Sequence, residues 1–368
     1  MAEKPETSGD LRPDPQTADL DGGLPSVQID QPHVASLRQR RLLELGQQGG
    51  LVTALVLLII VFTSMSPYFL TQSNAKVILL QVSVVGIIAV PGAMLLLAGY
   101  VDLSVGSVAV LSAVAFGRLA GVEGMPIWGA ILLALLVGAL WGFAQGFLIC
   151  QLGFSPIVVT LGSLAGARGL AELINNSRTE SGFGDVFAWI GNGNIFGYPV
   201  PIYAFGIAFI VGGYVWYLSP WARHMMAIGA DRVAARSLGV NVRRIPWLLY
   251  TMSGLAAGVG GLIVASQLDS ASVSIGQGTE IAVLTAILLG GVAFTGGRGS
   301  LVGVLVGVIF IGVLRNGLLV VNTNPFLFGV VVGLAMIGAA GLEVLYQRLD
   351  RVQLQDPGLQ VDEGAHDE

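Results

Sequence analysis

The sequence predicts an all-α polytopic membrane protein with about ten transmembrane helices. Of its 368 residues, 54% are hydrophobic and only 11% are charged, whereas a soluble domain usually carries about 25% charged residues. So few charges cannot solvate a globular surface of this size. The apolar residues are gathered in runs of about 20, which is the length a helix needs to cross the hydrocarbon core. The 52 glycines suit close packing of helices in lipid.

Hydropathy places the transmembrane domain at residues 49–346. The ten predicted spans lie at about 49–66, 75–98, 104–121, 127–149, 155–174, 199–219, 246–268, 279–295, 300–321 and 325–346.

The positive charges predict that both termini are cytoplasmic. Cytoplasmic loops of membrane proteins carry an excess of Lys and Arg. With ten spans and an inside N-terminus, only three basic residues fall on the outer side, namely Lys76, Arg118 and Arg178. The inner loops and the terminal segments next to the spans hold eleven arginines: Arg38, Arg40, Arg41, Arg223, Arg232, Arg236, Arg243, Arg244, Arg298, Arg348 and Arg351.

Two terminal segments lie outside the predicted spans. Residues 1–48 are predicted to be a disordered cytoplasmic tail, because the first 36 are polar, acidic and rich in proline and glycine and cannot bury enough apolar surface to fold. Three arginines form a basic cluster at the end of this tail. Residues 347–368 are predicted to be an acidic cytoplasmic tail.

Prolines within the apolar runs predict broken helices. Pro91 lies inside the second span, and Pro156 and Pro325 open the fifth and tenth spans. Interrupted helices at membrane depth are tolerated where they face protein or a water-filled cavity. The three prolines therefore mark either a substrate path or kinks without a lining role.

The two halves of the chain indicate a five-plus-five inverted repeat. The runs at 142–149 and 312–319 each place an amide before a glycine and lead to a proline that opens the next span. An offset of five spans inverts the second copy, as in many transporters. Chance similarity of glycine-rich runs is the alternative, and the turns at 99–102 and 296–298 suggest a competing register.

The loop 220–246 is a basic island between two apolar spans. It holds five arginines and a small-residue patch, Ala230 to Leu238, that predicts a helix. We call residues 220–246 the coupling loop. A charged and structured segment on the predicted cytoplasmic face indicates a docking site for a soluble partner.

Two further features concern charges near or within the spans. Arg168 and Glu172 lie four residues apart in the fifth span, so they share one helix face and are predicted to form an ion pair. Asp102 lies in a tight turn before the third span. There Asp102 or Ser104 would cap the helix, or Asp102 would take part in gating.

The long outer loop 175–199 is rich in aromatic residues and glycine. Exposed aromatic side chains on this side of the membrane indicate either anchoring at the lipid interface or docking of an external protein. The second reading assigns the docking role to Phe183, Phe187, Trp189 and Phe196.

The absence of known motifs argues against several classes of site. The sequence has no GxxxxGK[ST] phosphate loop, no HExxH and no Cys/His cluster, with three histidines and one cysteine in all. We therefore expect no metal, no cofactor and no catalytic residue on this chain, and no nucleic-acid partner.

An ordered set of motifs resembles the ribose-type ABC transporter permeases, the monosaccharide importer branch. It runs from DLSVGS at 102–107 through PIVVTLG at 156–162 to GADRVAARSLGVNVRRIP at 229–246. It continues through QGTE at 277–280 and GGRGSLVG at 296–303. The sequence departs from the family in its longer N-terminal tail and in reading SLGV where a Leu-Ser-Gly-Ile type of sequence is more familiar.

The resemblance implies a permease subunit of an ATP-driven importer in a bacterial inner membrane. Its expected partners are a second permease copy in a homodimer, cytoplasmic ATPase subunits that bind ATP and Mg, an extracytoplasmic sugar-binding protein and the lipid bilayer. In this reading the ATPase contacts Gly229, Ala230, Asp231, Arg232, Ala234, Ala235, Arg236, Leu238 and Gly239. Arg243 and Arg244 either belong to this contact or anchor the seventh span to lipid headgroups.

Alternating access would move a monosaccharide along a path lined by neutral polar groups. The candidate path residues are Gln145, Thr160, Ser163 and Asn316. A same-family permease for a nucleoside, a branched-chain amino acid or a furanose signalling molecule is one alternative. An ion-coupled secondary carrier acting alone is another, and a scaffold that does not transport is a third.

Overall fold

The computed structural model describes residues 35–353 apart from 177 and 325, with side chains described for 49–341 apart from the same two. Helices account for most of this range. They are α1 (Ala35–Met65), α2 (Gln72–Leu97), α3 (Val105–Gly117), α4 (Ile127–Cys150), α5 (Pro156–Asn175), α6 (Asp185–Asn192), α7 (Val200–Gly213), α8 (Pro220–Ala230), α9 (Arg232–Ser237), α10 (Arg244–Gln267), α11 (Thr279–Leu289), α12 (Leu301–Val320) and α13 (Leu327–Gln353).

Short π-helical turns extend α3 through Arg118–Val122 and α7 through Tyr214–Leu218. Four two-residue strands complete the described elements. The strand β1 (Glu180–Ser181) pairs antiparallel with β4 (Ser270–Ala271), and β2 (Asn194–Ile195) pairs antiparallel with β3 (Tyr198–Pro199).

The helices agree with a multi-pass membrane protein. Seven of the described helices are long and apolar enough to span a bilayer: α2, α3 with its extension, α4, α5, α7 with its extension, α10 and α12. Three shorter apolar helices, Gly49–Met65, Thr279–Leu289 and Leu327–Gly341, lie at the other predicted spans. The predicted number of ten spans, the inverted repeat and the cytoplasmic location of the termini stay predictions.

The core is built around α10, which packs against α4, α3 and α2. Glycines allow the backbones of α4 and α10 to touch. A Cβ placed on Gly142 would lie 2.2 Å from the carbonyl oxygen of Tyr250, and one on Gly254 would lie 2.2 Å from that of Gly138. In lipid, where helices gain little from hydrophobic burial, such close contact is the main source of packing energy.

One of the three predicted helix breaks needs correction. α2 runs without interruption through Pro91, so the break predicted there is wrong. A proline removes one backbone hydrogen bond, and helices within a membrane tolerate this loss where neighbouring groups compensate for it. Pro156 is the first residue of α5, a position that suits its fixed φ. Pro325 lies outside the described residues.

The predicted tails lie mostly outside the described residues, which exclude 1–34 and 354–368. The predicted boundary at residue 48 differs from the structure, because α1 begins at Ala35. The sequence that follows Ala35 is rich in Leu, Arg, Gln and Glu, which are good helix formers. Helix therefore replaces the last part of the predicted disordered tail.

Candidate functional site

The coupling loop folds as two helices rather than as one continuous patch. α8 ends at Ala230 and α9 begins at Arg232. Between them, Oδ1 of Asp231 accepts hydrogen bonds from the backbone N–H groups of Val233 at 2.7 Å and Ala234 at 3.1 Å. Aspartate in this position satisfies N–H groups that a helix start leaves without partners. The single helix predicted over Ala230 to Leu238 is therefore corrected to a break at Asp231.

Glycines bring three segments of backbone together beside this break. Gly229 near the end of α8 lies against the end of α2 and the loop before α12. A Cβ on Gly229 would lie 2.1 Å from the carbonyl oxygen of Leu97 and 2.3 Å from the nitrogen of Gly297. A Cβ on Gly296 would lie 2.7 Å from the nitrogen of Gly99. We call these five residues the glycine junction.

A hydrogen bond closes the glycine junction. The N–H of Gly297 donates to the carbonyl oxygen of Leu97 at 2.8 Å. Gly99, Gly296 and Gly297 all have positive φ, a conformation that glycine adopts without steric cost. The turn after α2 and the loop before α12 thus meet at the coupling loop. The same two turns suggested a competing repeat register in the sequence.

Arg232 joins α9 to the turn after α2. Its Nη2 donates to the carbonyl oxygen of Gly99 at 3.2 Å, and its guanidinium carbon lies 4.1 Å from the centre of the Tyr100 ring. A cation over an aromatic face is attracted by the ring quadrupole. Arg232 is also exposed, and its predicted contact with the ATPase stays a prediction.

Asp102 is the centre of a hydrogen-bond network that we call the Asp102 network. Its Oδ1 accepts from the backbone N–H of Ser104 at 2.9 Å and from the Ser104 hydroxyl at 2.6 Å. Its Oδ2 accepts from Nε2 of Gln145 at 3.0 Å and from the Ser253 hydroxyl at 2.8 Å. The network therefore connects the turn before α3 to α4 and α10.

The Asp102 network changes the role expected for the turn before α3. α3 begins after Ser104 without a side-chain cap, so the capping role expected for Asp102 or Ser104 is wrong. Burial raises the pKa of the Asp102 carboxyl above its usual range, although the hydrogen bonds from Ser104, Ser253 and Gln145 act in the opposite direction. The Tyr250 hydroxyl strengthens the same region by donating to the carbonyl oxygen of Val101 at 2.9 Å.

The outward face of α9 leaves two apolar side chains exposed. Val233 is 76% exposed and Leu238, just after the helix, is 81% exposed, whereas Ala235 between them is buried. Arg236 and Gly239 are also exposed. The coupling loop thus has one face against the glycine junction and another that is free to meet a partner.

Arg243 and Arg244 lie at the start of α10, and both are exposed. Oδ1 of Asn241 accepts from the backbone N–H of Arg244 at 2.9 Å. Their exposure fits both the docking role and lipid anchoring.

Each of the four candidate path residues has a hydrogen-bond partner within the protein. Gln145 belongs to the Asp102 network. The Thr160 hydroxyl donates to the carbonyl oxygen of Pro156 at 2.8 Å within α5, and the Ser163 hydroxyl accepts from Nε1 of Trp141. Asn316 exchanges two amide hydrogen bonds with Asn74, at 2.8 and 2.9 Å. Each polar group is thus already bonded within the protein.

The ion pair predicted between Arg168 and Glu172 is not formed among the described side chains. Nη2 of Arg168 instead donates to the backbone oxygen of Val273 at 3.4 Å, and Glu172 is exposed. The loop that follows α10 approaches Arg168 more closely than Glu172 does. This tertiary contact could not be predicted from helical spacing.

The outer aromatic residues divide into two groups. Phe187 is fully buried and stacks on Phe116, with ring centres 4.0 Å apart, and Phe183 packs edge-on to the same pair. The docking role predicted for Phe183 and Phe187 is therefore wrong, because both lie in a hydrophobic core. Trp189 is 50% exposed and Phe196 is 95% exposed, so these two stay available for a partner.

Replacing Phe187 with alanine should lower the free energy of unfolding by about 3–5 kcal/mol, because a fully buried aromatic ring is lost. Phe196→Ala should change it by less than about 0.5 kcal/mol, since that ring packs on little. Thermal unfolding of the purified chain in detergent measures both. Equal stability of the two variants would contradict the division.

Several partners in these sites were not predicted from the sequence. Ser253 and Tyr250 lie about two turns into α10, and only the fold brings them to Asp102 and Val101. Asn74 lies in the polar run TQSNAK at 71–76, and only the fold pairs it with Asn316. The described residues contain no group of His, Cys, Asp and Glu that could hold a metal ion.

Comparison with known proteins places the chain in a family. Residues 74–340 match the family model described as "Branched-chain amino acid transport system / permease component". The ribose import permease protein of Escherichia coli K12 is 34% identical over 76% of this chain and 88% of its own length. The fructose import permease protein of Rhizobium meliloti is 31% identical, over 75% and 79%.

The D-allose transport system permease protein of Escherichia coli K12 is 30% identical to this chain over 81% of it and 92% of the relative. The family match begins within α2 and ends within α13. The resemblance inferred from the motifs is therefore confirmed. The chain belongs to the branched-chain amino acid transport system / permease component family, as a relative of the sugar import permeases.

Proposed function

We propose that this chain is the permease subunit of an ATP-driven importer for a monosaccharide in a bacterial inner membrane. Two copies would form the path, and an extracytoplasmic binding protein would deliver the sugar. ATP and Mg would bind a separate ATPase. The observation that carries the proposal is the coupling loop, which combines an exposed apolar face with direct backbone contact to the bundle.

The coupling loop has the geometry of a mechanical lever. An ATPase that bound Val233 and Leu238 would hold α9, and α9 is tied through Arg232 to Gly99. Movement of α8 would pass directly to the end of α2 and to the loop before α12, because the backbones of these segments are already in contact at the glycine junction. The Asp102 network would then carry the displacement to α4 and α10, so that one side of the path opens as the other closes.

The substrate is proposed as a monosaccharide because the relatives are named for ribose, fructose and allose. A nucleoside, a branched-chain amino acid or a furanose signalling molecule remains the alternative within the family. Uptake of a panel of these compounds by the reconstituted complex decides between them.

Introducing charge on the exposed face of α9 should prevent association with the ATPase. Val233→Asp combined with Leu238→Asp would force two carboxylates to lose water in the interface, which is costly for unpaired charges. We expect at least a tenfold lower yield of ATPase, as roughly 1.4 kcal/mol of lost affinity produces. The measurement is co-purification of the co-expressed ATPase on the tagged permease.

Phe196→Asp is the matched control, since it places a charge on an exposed apolar residue of the outer loop and should leave the ATPase bound. Full retention of the ATPase by the α9 double variant would contradict the proposed docking face. The combination of Arg243→Glu and Arg244→Glu is measured in parallel. If that variant also loses the ATPase, the pair belongs to the interface, and if it does not, the pair anchors α10 to lipid.

A further inference from the structure

The segment before α11 descends deep into the bundle along α3. At its start, Ala271 lies beside Gly117, where a Cβ on Gly117 would be 2.4 Å from that of Ala271. At its end, Gly276 and Glu280 lie beside Gly106, eleven residues earlier on the same helix. At 1.5 Å per residue, the segment moves about 16 Å along α3.

The length of α11, measured from its other end, places Glu280 at the same depth. α11 has 11 residues, which is about 16 Å of helix and half the thickness of the hydrocarbon core. Gly290, just after α11, contacts Gly303 in the first turn of α12. Glu280 in the first turn of α11 therefore lies near the middle of the membrane-spanning bundle.

Polar groups without partners are concentrated at this point. The described residues offer no hydrogen-bond donor or ion pair to the half-buried Glu280 carboxylate, and none to the side chains of Gln277 and Thr279. Gln277 and the preceding Ser274 are exposed on the surface of the single chain. The Ser274 hydroxyl is hydrogen-bonded to the Ser272 hydroxyl, with 2.8 Å between the two oxygens.

Such a segment cannot face lipid. Non-helical backbone at membrane depth persists only where it is buried in protein or lines a water-filled cavity. An intramembrane carboxylate is costly, and a carboxylate in the first turn of a helix recovers only a small part of that cost from the helix dipole. A role in the path accounts for both the open backbone and the unpartnered acid.

We propose that Glu280, Gln277 and Thr279 form a midplane subsite that hydrogen-bonds the hydroxyl groups of a sugar in transit. The inference rests on the proposed importer function and adds the residues that would contact the substrate. A carboxylate accepts strongly from hydroxyl groups, an amide both donates and accepts, and a hydroxyl does the same. A small number of hydrogen bonds suits a translocation path, because the sugar must also be released.

The absence of a side chain at Gly106 leaves room for the Glu280 carboxylate. A Cβ on Gly106 would lie 2.0 Å from Oε2 of Glu280, so the acid occupies the space that any side chain there would take. Gly106→Ala should therefore displace the carboxylate while Glu280 itself stays unchanged.

The test is sugar uptake by the full complex of permease, ATPase and binding protein in proteoliposomes. The probe is whichever of ribose, fructose and allose the wild-type complex transports. Glu280→Ala should lower uptake by about 10- to 100-fold, the loss expected for one hydrogen bond to a charged group. Glu280→Gln should lose less, since its amide also bonds hydroxyl groups, and Ile281→Ala, an exposed apolar neighbour, should match the wild type.

A second readout separates contact with the sugar from a structural role. Each monodeoxy analogue is delivered on saturating binding protein, and its uptake is compared with that of the sugar. In Glu280→Ala the preference over the analogue that lacks the contacted hydroxyl should fall toward one. The melting temperature should stay unchanged or rise, because an unpaired charge has been removed.

Four results would overturn the subsite. The first is wild-type uptake by Glu280→Ala, and the second is an equal loss of uptake for every analogue. The third is a lower melting temperature that parallels the loss of uptake. The fourth is a loss in Glu280→Gln as large as in Glu280→Ala, together with dependence of uptake on an ion gradient. The last of these would assign the carboxylate to a cation. If the wild-type complex transports none of the three sugars, the proposed monosaccharide function itself fails.

Discussion

Gly229→Ala should lower ATP-driven uptake by more than about tenfold. The new methyl group would lie 2.1 Å from the Leu97 oxygen and 2.3 Å from the Gly297 nitrogen. Both are backbone atoms, so the contact can be relieved only by separating α8 from the turn after α2 and from the loop before α12. Overpacking of this kind costs about 1–3 kcal/mol or more, and here it acts at the point where the three segments meet.

The measurement is uptake together with ATP hydrolysis by the same reconstituted complex. We expect hydrolysis to continue while uptake falls, because the docking face of α9 is untouched but its attachment to the bundle is displaced. Gly213→Ala is the matched control, since a Cβ on that helical glycine meets nothing within 4 Å. Unchanged uptake in Gly229→Ala would show that the glycine junction does not transmit movement.

Asp102→Ala should lower the free energy of unfolding by about 3 kcal/mol or more and abolish uptake. The substitution removes the acceptor for the Ser104 N–H, the Gln145 amide and the Ser253 hydroxyl. A buried polar group left without a partner costs about 1–3 kcal/mol. Asp102→Asn should cost less because it keeps the shape and one acceptor oxygen. Thermal unfolding and uptake of both variants test this expectation.

The Asp102 network also predicts a dependence on pH. Because burial raises the pKa of Asp102 in the folded chain, the folded state binds this proton more tightly than the unfolded state. The resulting stability is fully present below the ordinary aspartate pKa of about 3.9. It is lost as pH rises through the raised folded value.

The difference in unfolding free energy between the wild type and Asp102→Asn should therefore fall with rising pH over this window. Taking the difference cancels the titration of groups that the two chains share. A difference that does not change with pH would mean that Asp102 has no raised pKa in the folded chain.

The positions of the apolar helices could be predicted from the sequence because hydropathy is a local property. The start of α9 carried a local signal too, since Asp231 precedes a run of small residues, but the helical pattern of Ala230 to Leu238 concealed it. The proline rule failed at Pro91 because packing within the membrane overrides the loss of one hydrogen bond.

Contacts between distant segments could not be predicted in this way. The sequence shows aromatic residues in the outer loop, but only the fold places Phe187 on Phe116 and leaves Phe196 outside. Spacing along α5 favoured an ion pair of Arg168 with Glu172, whereas Arg168 donates a hydrogen bond to a loop about 100 residues away. The depth of Glu280 likewise follows from its neighbour Gly106 and from no property of its own sequence.

The most direct test of the account is ATP-dependent sugar uptake by proteoliposomes that contain this permease, its ATPase and the binding protein. We expect uptake only when ATP is enclosed with the ATPase, and only when the binding protein is present outside. We also expect that dissipating ion gradients leaves it unchanged. Equal uptake by the permease alone, driven by an ion gradient in the absence of ATP, would contradict the account and identify a secondary carrier.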